Sequence, residues 1–293
     1  MADLQHEAGS MSAAGRLAII GWPVAQSRSP LIHNHWLAGC GEAALYESVA
    51  IDPQDDFLAA LQHMAASGFV GANVTAPHKE AAFAAMDVLS PAAQKLGAVN
   101  TISFKNGKMA GANTDGAGFI SSLDEAAPTI NWRARPALVL GAGGAARAIV
   151  AALGQAGVAD IRLVNRTRAK ADALAGLAEN VQIEDWHACL TMAEGCGLMV
   201  NTTSLGMLGK PALDLPETLF AALSPVALVC DIVYAPLETP LLRSARAAGL
   251  IGIDGLGMLL HQAALSFEIW RGTRPQIDAA LRNKLIADLA RGA

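Results

Sequence analysis

The chain contains few aromatic residues, few charged residues and no hydrophobic run of the roughly 20 residues that cross a bilayer. Phe, Trp and Tyr make up 5% of its 293 residues and charged residues 16%, whereas hydrophobic residues make up 53%. Because the hydrophobic residues are dispersed in short runs, they predict buried cores and argue against a membrane protein. Residues 1–15 are polar and lack the apolar segment of a secretory signal, so we expect a flexible tail on a cytoplasmic protein.

Charge and cysteine content exclude further classes of protein. The net charge is −5 at pH 7, which argues against a nucleic acid or a membrane surface as a partner. The cysteines are too scattered to form a metal site or a disulfide framework, and none of the seven histidines pairs with a carboxylate at metal-ligand spacing. We therefore expect free thiols, a reducing compartment and no metal ion. The four cysteines are Cys40, Cys189, Cys196 and Cys230.

A glycine-rich segment begins at Gly141, directly after the short apolar run at residues 137–140. The run is typical of a buried parallel strand, and residues 145–156 predict a helix that ends at Gly157. Gly-x-Gly-x-x-Ala between a strand and a helix is the context of a dinucleotide fingerprint. The helix N-terminus supplies free N–H groups and positive potential for a pyrophosphate.

The small residues of this loop have predicted parts in cofactor binding. Gly141 permits the tight turn, Gly143 lets the backbone approach the pyrophosphate, and Ala146 keeps the helix close to the sheet. The alternative is a plain packing turn, because the chain is rich in glycine and alanine, but a second strand at the right distance favours a nucleotide. The predicted contacts within the loop are Gly141, Ala142, Gly143, Gly144 and Ala145.

The end of that second strand indicates which dinucleotide binds. Residues 161–164 predict the strand, and Asn165 follows it, 24 residues after Gly141. An NAD-binding unit places Asp or Glu about 20 residues past the glycines to bind the ribose 2′-hydroxyl. This segment has no carboxylate and instead holds Asn165, Arg166, Thr167, Arg168 and Lys170. Since a guanidinium complements a 2′-phosphate, the sequence predicts NADP, with a solvated basic turn as the alternative.

Short apolar runs alternate with helical segments, which predicts an α/β protein with parallel sheets. In the first third, strands are predicted at 17–21, 45–51, 69–74, 99–104 and 109–112, and helices at 30–38, 54–67 and 78–86. The last two strands flank Asn106-Gly107, a pair that favours a hairpin. In the middle third, strands are predicted at 137–140, 161–164, 198–201 and 227–233.

This pattern predicts two domains. Residues 116–254 form a nucleotide-binding Rossmann domain, and residues 16–115 together with 255–293 form a substrate-binding domain with a mixed sheet. Two C-terminal helices, predicted at 258–271 and 277–291, return to the first domain.

Two serines near the N-terminus form the first polar cluster outside the fingerprint. Ser29 precedes Pro30, which predicts an N-cap followed by proline at the first helical position. Ser27 is not needed for such a cap. Two hydroxyls beside a helix N-terminus could instead hold a carboxylate.

Lys79 and Asp115 are the candidate acid–base pair. Lys79 lies in the first turn of a helix that starts with Pro77, after a strand that delivers Asn73 and Thr75 on one face. Cations are disfavoured at a helix N-terminus, which makes this lysine notable. Asp115 lies in a polar, glycine-bounded segment at the predicted domain junction. The alternatives are a surface lysine and an aspartate that only caps the next helix.

Taken together, these clusters resemble the shikimate dehydrogenase family, which includes shikimate/quinate dehydrogenases. The motifs occur in the family's order over residues 17–272, nearly the whole chain. They include Ser27-x-Ser29-Pro30, Asn73-Val74-Thr75-x-Pro77-x-Lys79, Gly97-Ala98-Val99-Asn100-Thr101, Asn113-Thr114-Asp115, Asn165-Arg166-Thr167, Asn201-Thr202-Thr203-Ser204-x-Gly206-Met207, Asp231-Ile232-Val233-Tyr234 and Asp254-Gly255-Leu256-Gly257-Met258-Leu259-x-x-Gln262. Departures are slight: His261 precedes Gln262, and Lys170 stands where a second arginine is common.

The resemblance implies a role for each matching residue. Lys79 and Asp115 would be the catalytic pair, and Tyr234 would lie near the substrate. The substrate carboxylate would be held by Ser27 and Ser29, and its ring hydroxyls by Thr75, Asn100, Asp115 and Gln262. Beyond the glycine loop and residues 165–168, the cofactor contacts would be Thr202, Thr203, Ser204, Met207, Ile232, Gly255 and Met258.

The resemblance also implies a reaction, the reversible reduction of 3-dehydroshikimate to shikimate by NADPH. This is a step in aromatic amino acid biosynthesis, and the enzyme would be a monomer or a homodimer that needs no metal. One alternative is a quinate/shikimate dehydrogenase of broader specificity, which the basic run after Asn165 disfavours if it uses NAD. The other is a catalytically silent NADP-binding sensor, which the presence of both Lys79 and Asp115 disfavours.

Overall fold

The computed structural model describes residues 15–41 and 45–291, and these form two compact units. The first unit runs to Thr114 and also includes Ala263–Leu281, whereas the second contains Asp115–Gln262 and the residues from Arg282 onward. Of the predicted N-terminal tail, only residue 15 lies within the described residues. In the described part of the chain, no helix is both long enough and apolar enough to span a membrane.

The first unit is built on a six-stranded mixed sheet with the strand order β2-β1-β3-β5-β6-β4. The central strand β1 is parallel to β2 and β3, whereas β5 is antiparallel to both β3 and β6. The strands are β1 (Arg16–Gly21), β2 (Tyr46–Ala50), β3 (Phe69–Val74), β4 (Val88–Leu89), β5 (Thr101–Lys105) and β6 (Lys108–Ala112). The helices are α1 (Ser29–Gly39), α2 (Phe57–Ala66), α3 (Lys79–Ala85) and α4 (Pro91–Leu96).

The predicted hairpin between β5 and β6 is confirmed. Asn106 and Gly107 have φ values of 52° and 73°, the left-handed conformation that a two-residue hairpin turn requires. The register pairs Thr101 at the start of β5 with Ala112 at the end of β6. The hairpin therefore brings the chain before β5 and the chain after β6 to the same edge of the sheet.

The second unit is built on a six-stranded sheet with the order β12-β11-β10-β7-β8-β9, in which every neighbouring pair is parallel. The strands are β7 (Ala137–Leu140), β8 (Ile161–Asn165), β9 (Val181–Asp185), β10 (Leu198–Asn201), β11 (Leu228–Asp231) and β12 (Ile251–Ile253). The helices are α5 (Asp115–Ala126), α6 (Gly144–Gln155), α7 (Arg168–Asp172), α8 (Cys189–Ala193), α9 (Glu217–Ala222) and α10 (Pro240–Ala247).

The central strands β7, β10 and β11 are buried at every residue, as expected for parallel strands that are covered on both faces. Leu138, Met199 and Val229 on these strands belong to one apolar core. Small residues let α5 pack tightly on α6, because a Cβ added at Gly116 would lie 2.8 Å from the carbonyl oxygen of Ala148. The predicted α/β class with a Rossmann domain is confirmed.

The two C-terminal helices, α11 (Leu256–Arg271) and α12 (Ala279–Arg291), each contribute residues to both units. Within the first unit, Trp270 Nε1 donates a hydrogen bond to the Ile102 carbonyl at 2.9 Å. Trp36 Nε1 likewise donates to the Gln276 carbonyl at 3.0 Å. These indole contacts attach the segment Ala263–Leu281 to the body of the first unit.

Candidate active site

The glycine loop after β7 has the backbone that a phosphate group needs. Gly141 has a φ of 103°, which L side chains rarely adopt, and an added Cβ would lie 2.8 Å from Thr202 Oγ1. Helix α6 begins at Gly144, and its N-cap Gly143 supplies no side-chain hydrogen bond. A Cβ added at Gly143 or Gly144 would meet no atom within 4 Å. An added side chain would thus meet nothing at these two glycines, and the first N–H groups of α6 stay the predicted pyrophosphate site.

The remaining predicted loop residues are part of the same turn. Ala142 lies between the two glycines, and Ala145 lies in the first turn of α6. Ala146 is fully buried, as its predicted packing role requires.

The two arginines after β8 are in different states. Arg168 begins α7 and forms ion pairs with Asp172 at 3.1 Å and Glu184 at 3.4 Å. The Arg166 side chain is exposed and, among the described residues, has no hydrogen-bond or ion-pair partner. Asn165 Nδ2 donates to the Thr167 carbonyl at 2.8 Å and closes the turn between strand and helix. Arg166 is therefore the guanidinium that is open to an anion in this segment.

A buried carboxylate, Asp231, joins the loops that follow β10 and β11. Its Oδ1 accepts from Asn201 Nδ2 at 2.9 Å and from the Val233 N–H at 3.1 Å, and its Oδ2 accepts from Thr239 Oγ1 at 2.7 Å. Asn201 Oδ1 accepts in turn from the N–H and the hydroxyl of Thr203. The sequence motif contained Asp231 but gave it no role. The predicted cofactor residues on the two loops it joins are Thr202, Thr203, Ser204, Met207 and Ile232.

Burial raises the pKa of the Asp231 carboxyl, and this outweighs its three hydrogen bonds. A carboxyl whose pKa in the folded state exceeds the unfolded value, about 3.9, favours folding in its protonated form. Its contribution to stability is present below the unfolded pKa and is lost as pH rises through the folded pKa. We expect Asp231→Asn to remove this pH-dependent loss, measured as the free energy of unfolding in urea across the acid range. An unchanged pH dependence in the variant would contradict the assignment.

Five further predicted residues lie in the second unit. Asp115 is the first residue of α5. Gln262 Nε2 donates to the Leu259 carbonyl at 2.8 Å within α11. A Cβ added at Gly255 would lie 2.2 Å from the Ile232 carbonyl oxygen, so only glycine fits there. Tyr234 lies in the loop after β11, and Met258 lies in the first turn of α11.

The predicted cap at the start of α1 is wrong. The N-cap is Arg28, and Ser29 is the first residue of the helix. The Ser29 N–H donates to Ser27 Oγ at 3.3 Å, so the hydroxyl of Ser27 satisfies a helical N–H. The Ser29 side chain therefore does not cap its own helix.

The topology of the first sheet brings the predicted substrate residues to one edge. Because β1 and β3 are parallel neighbours, the segments after them emerge together, and these carry the two serines and Thr75 with Lys79. Asn73 near the end of β3 pairs with Thr101 at the start of antiparallel β5, which places Asn100 at this edge. We call it the polar edge. Its members are Ser27, Ser29, Thr75, Lys79 and Asn100.

Lys79 is held at the polar edge by the backbone around it. It is half-buried at the start of α3, and its carbonyl accepts from the Val99 N–H at 2.9 Å. The preceding residue, His78, is buried and its Nε2 lies 2.7 Å from the Ile51 carbonyl. Thr75 is attached to β1 by its N–H, which donates to the Ile20 carbonyl at 2.8 Å. These contacts fix the backbone from which the Lys79 side chain extends.

Asn100 is buried, and its carboxamide is held from both ends. Its Oδ1 accepts from the Thr114 N–H at 2.9 Å and from Thr101 Oγ1 at 2.8 Å. Its Nδ2 donates to Thr114 Oγ1 at 2.9 Å. The amide at the polar edge is therefore preorganised.

The described residues contain neither a cluster of metal-ligating side chains nor a disulfide. Within them, no group of three or more His, Cys, Asp or Glu side chains could hold a metal ion. All four cysteines are free, and burial raises the pKa of the Cys189 and Cys196 thiols to about 11.

A parallel doubly wound sheet with a glycine loop, in a chain whose other unit carries a polar edge, is typical of the two-domain dinucleotide-dependent oxidoreductases of the α/β class. Three family models match the chain. They are the shikimate dehydrogenase substrate binding domain at residues 19–102, shikimate / quinate 5-dehydrogenase at 124–201 and the shikimate 5'-dehydrogenase C-terminal domain at 255–282. The chain belongs to the shikimate dehydrogenase family, which confirms the resemblance seen in its motifs.

Individual relatives agree with this assignment. Shikimate dehydrogenase (NADP(+)) of Methylocella silvestris is 51% identical over 95% of this chain and 98% of its own. The protein of the same name from Mesorhizobium japonicum is 49% identical over the same shares. Among solved structures, shikimate 5-dehydrogenase of Thermus thermophilus with NADP(H) and shikimate has a TM-score of 0.81 and 37% identity, covering 94% of this chain and 99% of its own. Quinate dehydrogenase of Corynebacterium glutamicum with NAD has a TM-score of 0.86 and 30% identity, covering 94% and 100%.

Proposed function

We propose that this protein is an NADP-dependent shikimate dehydrogenase that reversibly reduces 3-dehydroshikimate to shikimate. The observation that carries the proposal is the polar edge, where Lys79 stands among hydroxyl and amide groups suited to a polyhydroxylated carboxylate. The names of the curated relatives, and the shikimate and NADP(H) in the Thermus thermophilus structure, support the same substrate and cofactor. Most of the predicted substrate residues lie in the first unit, and the predicted cofactor residues lie in the second.

The substrate would be bound by groups that match its chemistry. Ser27 and Ser29 donate hydrogen bonds to the carboxylate, beside the N-terminus of α1, whose partial positive charge favours an anion. Thr75 and Asn100 bind ring hydroxyls. Asp115 and Gln262 bind further hydroxyls, and Tyr234 lies near the ring.

Lys79 would supply the proton in the reduction. Negative charge develops on the ketone oxygen as the carbon accepts a hydride, and the protonated Nζ of Lys79 donates to that oxygen. Asp115 orients the ammonium group and accepts from the neighbouring hydroxyl. In the reverse reaction the neutral amine takes the proton back.

The cofactor fits the residues of the second unit. NADPH, when bound, supplies the hydride. Its pyrophosphate would be held by the N–H groups of residues 141–145, where the open space beside Gly143 and Gly144 leaves room for it. Arg166 would bind the 2′-phosphate, with Asn165, Thr167 and Arg168 around it. The loops with Thr202–Ser204, Met207, Ile232, Gly255 and Met258 would complete the contacts.

We expect Arg166→Ala to raise the KM for NADP by about tenfold or more, through loss of charge-assisted hydrogen bonds worth about 1.5–3 kcal/mol each. NAD has no 2′-phosphate, so its KM should change little. Steady-state kinetics with both cofactors checks this. An equal rise in the KM for NADP and for NAD would mean that Arg166 stabilises the loop and does not bind the 2′-phosphate.

The reaction itself can be tested by the fate of the hydride. The purified protein is incubated with 3-dehydroshikimate and NADPH deuterated at C4, and the product is compared with authentic shikimate by chromatography and mass spectrometry. We expect shikimate that carries one deuterium on the carbon that bore the ketone. If NADPH is not consumed, the proposed activity is wrong.

We also propose that the protein is a cytoplasmic monomer or homodimer. The net charge of −5 supports the proposal that it has no nucleic-acid or membrane partner. Sedimentation equilibrium would establish the oligomeric state, and a species larger than a dimer would contradict this.

A further inference from the structure

A line of buried polar side chains runs through the first unit from Tyr46 to the polar edge. Tyr46 is 1% exposed, and its hydroxyl donates to Asn73 Oδ1 at 2.7 Å. The Tyr46 ring is fixed by a stacked contact with His33, with the ring centres 4.2 Å apart and the planes 8° from parallel. Burial lowers the pKa of His33 to about 3, so this neighbour is neutral.

The line continues from Asn73 to the polar edge. Asn73 Nδ2 donates to Ser266 Oγ at 2.9 Å, and Ser266 Oγ lies 2.7 Å from Thr101 Oγ1. Thr101 Oγ1 donates to Asn100 Oδ1 at 2.8 Å. We call the whole line the buried relay. Its members in order are Tyr46, Asn73, Ser266, Thr101 and Asn100.

The hydrogen bonds of the buried relay all point the same way. Burial raises the pKa of the Tyr46 phenol well above 10, so it keeps its one proton and gives it to Asn73. With its oxygen facing Tyr46, the Asn73 amide presents N–H groups to Ser266 and to Thr101. The Thr101 proton goes to Asn100, so Thr101 Oγ1 is an acceptor toward Asn73 and Ser266.

We propose that the buried relay orients Asn100 for the substrate, and that Tyr46 and Thr101 are positioning residues. The proposal rests on the proposed function, which places Asn100 against a ring hydroxyl. The Asn100 oxygen accepts from Thr101 and from the Thr114 N–H, so the relay helps to set which way its carboxamide faces. Without the Tyr46 hydroxyl, the Asn73 carboxamide would be free to flip. Its oxygen would then face Ser266 and Thr101 in place of its N–H groups, and the direction of the hydrogen bonds toward Asn100 would reverse.

The first test removes single hydroxyls while keeping the packing. Tyr46→Phe keeps the ring that stacks on His33, and Thr101→Val keeps the shape of the side chain. We expect each to raise the KM for shikimate about tenfold, with kcat and the KM for NADP within about twofold of wild type. Thr101→Ser, which keeps the donor, should restore the wild-type KM. Because both changes break the same relay, the KM of the double variant for shikimate should be no higher than that of the more impaired single variant.

A purely structural role would have a different signature. Tyr46→Phe and Thr101→Val would then lower the melting temperature but leave the KM for shikimate within twofold, and that result would overturn the proposal.

A second readout does not depend on the substrate. The side-chain amide signals of Asn73 and Asn100, assigned by NMR in asparagine-labelled protein, should both shift in Tyr46→Phe. If only the Asn73 signal moves, the relay does not reach Asn100 and the proposal fails, even for an enzyme with another substrate. If the wild-type protein does not oxidise shikimate while both signals shift, the proposed function fails and the relay stands.

Discussion

Replacing Lys79 with alanine is expected to reduce kcat by at least about 100-fold while shikimate affinity stays within a few-fold. A proton donor acts mainly in the transition state, where general acid catalysis contributes about 10²–10⁴ in rate, or roughly 3–5 kcal/mol. Steady-state kinetics in both directions, together with a direct binding measurement for shikimate, separates the two effects. The lysine is already held at the start of α3 by the backbone, so removal of its side chain should leave the fold intact.

The matched control is Lys95→Ala, which removes an exposed lysine from α4 in the same unit. It should leave kcat unchanged. If Lys79→Ala affected only KM, the lysine would be a binding residue and not the proton donor.

Asp115→Asn is expected to lower kcat/KM by about 10- to 100-fold, through both a lower kcat and a higher KM for shikimate. The carboxylate serves the ammonium group and a substrate hydroxyl at once, and an amide can accept from only one side. The loss of charge-assisted hydrogen bonds, about 1.5–3 kcal/mol, sets the size of the effect. Kinetics with saturating NADP measures both parameters.

A carboxylate on the same helix provides the control for this variant. Asp124 pairs with Arg133 at 2.6 Å near the other end of α5, and Asp124→Asn should not change kcat. An Asp115→Asn enzyme with wild-type kcat and KM would remove Asp115 from the mechanism.

Much of the fold follows from local pattern. The strands that form the centres of the two sheets are apolar runs between turn residues, and their predicted positions agree with β1, β3, β7 and β10 to within a residue. Among the edge strands, β2 was predicted at 45–51, whereas β4, β9 and β12 gave no such signal. Strand β4 has only two residues, Val88–Leu89, and β9 is mostly exposed, so neither has an apolar run to detect. Their pairing comes from the sheet beside them.

The candidate site, like the fold, could be predicted only in part. The glycine loop and the basic segment after β8 could be predicted because their chemistry lies in contiguous residues. The cap at Ser29 was misjudged because Ser-Pro fits two registers of a helix start, and Arg28 at the N-cap lets Ser27 take the hydrogen bond. Contacts such as Tyr46 with Asn73, or Asn73 with Ser266, join residues far apart in sequence. No spacing rule finds them, because only the packed sheet brings them together.

Initial rates with shikimate and quinate, each against NADP and NAD, are the decisive measurement of the proposed activity. We expect the highest kcat/KM for shikimate with NADP, a strong preference for NADP over NAD because of Arg166, and weaker turnover of quinate. A protein that oxidises quinate with NAD as efficiently as shikimate with NADP would contradict this proposal.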